Sequence, residues 1–182
     1  MPVWVGLLRA VNLGARNQVN MPRLRQVLAE AGFGEVRTYV QSGNLVARTP
    51  HRSAHRFGDA VRACVREHFD LDVPVVVRTP AQLAELLAWN PSPDDAATPP
   101  TFVQVLHLVE PPAPERVAAL LAEDWSPDEV VARGPEVVIR YDATMHRSRA
   151  QSATLIRRLG VDGTVRNWRT VQAVLDLAAS VR

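Results

Sequence analysis

The chain is 182 residues long, which suits one domain of roughly 150 residues or two small halves. Hydrophobic residues make up 47%, and 21 basic residues, every one of them Arg, face 19 acids for a net charge of +2. This composition excludes a disordered tail, a collagen-like fibre and a membrane protein.

Residues 3–11, VWVGLLRAV, form an apolar run that predicts a central strand. A polar loop, NLGARNQVN, fills 12–20, and Pro22 suits the first turn of a helix carrying Leu24, Val27, Leu28 and Ala31, which Gly32 ends. A strand follows over 35–41, then a Ser42-Gly43-Asn44 turn and a returning strand over 45–49. Phe57, Val61, Cys64, Val65 and His68 mark the stripe of a second helix, with Cys64 and His68 read as packing residues. Residues 73–78 read as a strand, and Thr79-Pro80 opens a short helix.

Residues 90–100, NPSPDDAATPP, read as a linker. The same order then returns: a strand over 101–109, a helix over 115–123, strands over 129–133 and 136–141, a helix over 148–159, a strand over 163–166 and a helix over 170–179. Ser126-Pro127-Asp128-Glu129 resembles a helix capping box, but Gly134-Pro135 follows so soon that Val130-Val131 and Val137-Val138-Ile139 favour a hairpin. The expected architecture is α+β, two tandem ferredoxin-like βαββαβ(α) halves with antiparallel sheets, an internal duplication offset by 90–100 residues. The halves are 1–90 and 101–182, joined by a Pro/Asp-rich linker at 91–100. In this topology the first loop and the SGN hairpin emerge at the same end of the sheet.

Charge is unevenly placed. Residues 1–90 carry a net +4, 91–139 carry −7, and 140–182 carry +5. Basic ends that met in space would make a positive face for an anion; opposite charges can equally pair across the fold. The single cysteine, Cys64, makes no internal disulfide, and with neither a signal-like start nor an 18-residue apolar run the expected location is cytoplasmic, away from membranes.

The segments LLRAVNLGARNQVNMPRL, TYVQSGNLV and VRNWRTV resemble the bacterial family called domain of unknown function 1697. The resemblance implies a small cytoplasmic α+β protein with two ferredoxin-like halves and implies no established activity. Its motif falls on Arg9, Asn12, Gly14 and Asn17, on Ser42, Gly43 and Asn44, on Ser148-Arg149, and on Arg166, Asn167 and Trp168. The chain departs from the family at Gln151-Ser152 and at Ala47.

These segments also carry the candidate chemistry. Gly14 and neighbouring amides, with Arg16, can form an anion nest, although the loop is neither a Walker A loop nor GxGxxG, so no cofactor is expected. Ser42 lacks the context of a nucleophile and reads as a turn residue beside Gly43 and Asn44. Arg9, near the end of a strand that should be buried, needs a partner or a ligand. Arg166-Asn167-Trp168 offers a planar cation, an amide and a stacking surface. His51 and His55 are spaced i,i+4 without a third ligand, so no metal site is expected. The leading reading is a binding module for an anionic ligand, nucleic acid or phosphorylated metabolite, using Arg9, Asn12, Gly14, Arg16, Asn17, the Ser42–Asn44 turn and Arg166–Trp168. The rival is an enzyme on a small phosphorylated substrate, which needs Asp70, Asp72 or Glu35 near Arg9 as a base. A third reading is self-association through open sheet edges.

Overall fold

The computed structural model describes residues 1–14, 17–91, 102–142 and 145–181. Arg16 and all but the first residue of the 91–100 linker lie outside the described residues. The elements run β1 (Val3–Leu8), α1 (Met21–Glu30), β2 (Gly34–Tyr39), β3 (Asn44–Arg48), α2 (Ala54–Phe69), β4 (Val75–Arg78), α3 (Pro80–Trp89), β5 (Val103–Leu108), α4 (Pro114–Leu121), β6 (Glu129–Arg133), β7 (Glu136–Arg140), a 3-10 turn (Met145–Arg147), α5 (Ser152–Leu159), β8 (Gly163–Asn167) and α6 (Trp168–Ala179). The chain is thus α+β, with two four-stranded antiparallel sheets and six α-helices among the described residues.

Two compact units result, Met1–Glu85 with Gln172–Arg182, and Leu86–Val171. In the first, the sheet order is β2-β3-β1-β4, and α1 and α2 lie on one face. Polar caps start both helices: the Asn20 side chain accepts from the Arg23 amide, and Ser53 accepts from the Arg56 amide. Leu24, Val27 and Leu28 of α1 and Phe57, Val61 and Val65 of α2 bury against Leu8, Leu45 and Ala47 of the inner strands. His68 does not belong to that stripe. It is exposed in the last turn of α2, where a basic residue faces the negative end of the helix dipole.

In the second unit the order is β6-β7-β5-β8, and α4 and α5 cover one face. Leu106, Leu108, Val137 and Ile139 pack there with Leu120, Trp125, Leu155 and Leu159. Residues 129–140 form the expected hairpin, with Gly134 at φ +58° in its turn. The helix expected from 148 starts instead at Ser152, after the 3-10 turn.

Strand residues alternate between faces, and the inner strands are buried on both. The face of the first sheet away from α1 and α2 holds Val5, Leu7, Asn44, Val46, Val76 and Arg78, all buried. Its counterpart holds Val105, His107, Glu136, Val138, Thr164 and Arg166, also buried. Along one line of the second sheet, Glu136, His107 and Thr164 sit directly opposite one another on β7, β5 and β8. His107 Nδ1 lies 2.7 Å from Glu136 Oε2. Removing the Glu136 carboxyl leaves the buried His107 ring without this polar neighbour, so Glu136→Ala is expected to lower unfolding stability by about 2 kcal/mol. Urea denaturation of the variant measures this; Glu136→Gln should cost less.

Candidate functional site

Arg9 follows β1 rather than lying within it, because the strand ends at Leu8. It is half-buried, which corrects the expectation of a buried strand arginine, and its amide donates to Pro74 O at 3.0 Å. From here the chain turns sharply. Ala10, Asn12, Gly14 and Asn17 all have φ between +50° and +63°. Asn12 holds this path together: its Oδ1 accepts from the Val19 amide at 2.8 Å, while its Nδ2 donates to Val19 O at 2.9 Å and to Gln41 O at 2.6 Å. One amide side chain therefore closes the loop on itself and ties it to the hairpin between β2 and β3. Asn17 Nδ2 donates to Ala10 O at 3.1 Å, and the Asn12 amide donates to Asn17 O at 3.0 Å.

The hairpin turn is built as tightly. Gly43, at φ +77°, is buried, and a Cβ there would sit 2.6 Å from Val11 Cγ2 and 2.7 Å from Leu8 Cβ, so only glycine fits. Gly43 O accepts from the Leu8 amide at 2.8 Å. Asn44 is fully buried, and its Nδ2 donates to Tyr39 O at 3.0 Å and to Ser42 Oγ at 2.9 Å. Ser42 thus serves the turn. Val40, a β-branched residue, is held at φ +48° on the surface. The structure brings the loop and the hairpin to one end of the first sheet.

The acids on which the enzyme reading depends are engaged elsewhere. Asp72 accepts from Arg62 and Arg66, and Glu35 pairs with Arg48 at 3.3 Å. Asp70 is the left-handed C-cap of α2. His55 Nε2 lies 3.1 Å from Asp59, and His51 packs its ring on Phe33.

Arg166, Asn167 and Trp168 belong to the second unit. Arg166 Nη1 donates to Thr164 Oγ1 at 2.9 Å and to Val165 O at 2.7 Å; burial pushes its guanidinium down to about 10, still charged at neutral pH. Asn167 Oδ1 accepts from the Thr170 amide at 2.7 Å and so caps α6, of which half-buried Trp168 is the first residue. Arg78, which carries no motif signal in the sequence, is an equivalent residue in the first sheet. It is buried opposite Val5 as Arg166 is opposite Val105, and its Nη1 likewise donates to the preceding carbonyl, Val77 O, at 2.8 Å. A capping pair follows Arg78 too: the Gln82 amide donates to Thr79 Oγ1 and the Thr79 amide to Gln82 Oε1.

The second unit also contains a cleft of about 340 Å³, lined by Arg149, Arg158, Ser148, Thr154 and Trp125 among others. Its residues come from two stretches of chain, 123–125 and 148–158, and among them Ser148-Arg149 carries the motif signal in the sequence.

A family model described as a protein of unknown function (DUF1697) matches residues 1–138. The chain belongs to this family. The match includes the first loop and the SGN turn of this DUF1697 protein and ends before Arg166–Trp168. A search of curated proteins gave no match. Among solved structures, a conserved bacterial protein, SP0830 from Streptococcus pneumoniae, is similar in fold: the TM-score is 0.75 at 18% identity, covering 97% of this chain and 98% of that one. Among the described residues, no helix is long and apolar enough to cross a membrane.

Two outcomes follow from these contacts. Asn12→Ala removes three hydrogen bonds at once and is expected to destabilise the chain by about 2–3 kcal/mol, with faster amide exchange at Val19. The Arg62 and Arg66 guanidiniums hold the Asp72 carboxyl well below the usual carboxylate range. A lowered folded-state pKa means that this contribution is present above about pH 4 and is lost as pH falls. Asp72→Asn should therefore flatten the acid limb of a stability–pH curve.

Proposed function

We propose that the protein is a binding module for an anionic ligand, nucleic acid or phosphorylated metabolite, recognised by the loop and hairpin of the first unit. The observation that carries this reading is the Asn12 bridge from Val19 to Gln41. This brace holds Ala10, Asn12 and Asn17 in left-handed conformations, with Val40 across from them. Each strained residue costs about 1–3 kcal/mol unless its surroundings fix it, and such residues gather at ligand sites.

In this reading Arg9 supplies charge at the base of the loop, and Arg16 is assigned a second cation from its place in the sequence. Asn17 and Ser42 contribute polar contacts, and Gly14 lets the backbone approach the anion. Leu13 and Val40, 67% and 54% exposed, flank them and suit the carbon part of a sugar or base. Asn12, Gly43 and Asn44 are the frame. Arg166 and Asn167 frame the second sheet in the same manner, and Trp168 opens the helix that Asn167 caps.

The shared strand order, and the matching of Arg78 with Arg166, support reading both units as one ferredoxin-like plan repeated within the chain, with halves at 1–90 and 101–182. A single, buried cysteine fits a cytoplasmic location.

Titration of the full chain with heparin, a short RNA and a mononucleotide panel at low ionic strength tests the function. At least one is expected to bind, more weakly as salt rises, and Arg9→Gln should weaken it about tenfold. Failure of all three classes at low salt overturns the reading.

A further inference from the structure

The cleft of the second unit has the makings of a separate site. Its segments converge for clear reasons. Trp125, only 6% exposed, lies at the base of the cleft and spends its indole N–H on Leu120 O at 2.9 Å. The ring packs in the core of the second unit with Leu120, Leu155 and Leu159. The Tyr141 hydroxyl donates to Ala150 O at 3.1 Å, and burial pushes that phenol up to about 12, so it stays a neutral donor at physiological pH. This anchors the segment that presents Ser148, Arg149 and Gln151. Thr154 and Arg158, four residues apart on α5, lie on one helix face above it.

The charges are arranged rather than scattered. Arg158 is oriented by Glu123 through Nε and Nη2, each about 3.1 Å from a carboxylate oxygen. A guanidinium has five N–H donors in a fixed fork, so this pairing leaves the Nη1 edge for another acceptor. Arg149 Nη1 reaches Asp124 O at 3.3 Å, and the residue is exposed. Ser148 Oγ accepts from the Ala150 amide at 2.8 Å, which leaves its own hydrogen to donate. Glu123 is the one acid of the lining against two arginines.

We propose that this cleft is a binding site for a small phosphorylated metabolite, independent of the loop site in the first unit. Arg149 and Arg158 hold the phosphate, with hydroxyl donors from Ser148 and Thr154. A volume of about 340 Å³ is at the small end for ligand pockets, which suits a small ligand such as a sugar phosphate. Planar guanidiniums match phosphate oxygens better than they match a neutral sugar.

Calorimetry with ribose 5-phosphate, and with ribose as control, tests the site on the full chain. Ribose 5-phosphate is expected to bind and ribose is not. Arg149→Gln and Arg158→Gln should each weaken binding by about tenfold. Arg158→Gln also frees Glu123, so its fold is checked by circular dichroism; exposed Arg149 gives the independent variant. Amide shifts in a labelled sample separate the two sites. Shifts over 148–155 support this proposal, whereas shifts confined to 9–18 and 40–44 overturn it and support the loop site. No binding, equal binding of ribose, or unchanged affinity in the Arg149→Gln/Arg158→Gln double variant also overturns it.

Discussion

The side chain of Asn12 is the constraint on which the first unit's polar end depends. It makes three hydrogen bonds, two to the backbone of Val19 and one to Gln41. Those bonds shut a strained loop and fasten it to the neighbouring hairpin. Gly43 then closes the other side, because its lack of a Cβ lets the turn lie against Leu8 and Val11. The polar motif's amides and glycine are therefore the frame of the loop and hairpin.

In the second unit, Arg166 looks like a ligand-binding cation when seen as a string of letters, yet it is buried and bonded to Thr164 and Val165. Arg78 takes the equivalent position in the first sheet. Two buried arginines at one register, each followed by a helix-capping side chain, favour a structural role for both. By contrast Arg9 is half-buried after β1, and Arg149 and Arg158 are exposed in the lining of the second unit's cleft.

Much of the fold was legible because local signals agreed. The apolar run at 3–11 predicts a strand, which forms over Val3–Leu8; Pro22 lies in the first turn of α1; and Phe57, Val61, Cys64 and Val65 of the expected α2 stripe are buried. The 129–140 hairpin was decided by valines flanking Gly134-Pro135 over a competing capping signal. What could not be read was the pairing of distant residues. His107 and Glu136 meet only because β5 and β7 adopt one register, and the cleft arises only when the segments at 123–125 and 148–158 fold together. His68 misled because helical spacing continues past the point where the sheet stops covering the helix. Arg9 misled because an apolar run does not mark the residue at which a strand ends.

The most direct test of the central claim, that the braced loop and hairpin of the first unit receive an anion, is an amide chemical-shift titration of the labelled full chain with a nucleotide panel at low ionic strength. The largest shifts are expected to cluster at residues 9–14, 17–18 and 40–44. Shifts absent from that end of the sheet would contradict it and leave the motif with a structural role alone.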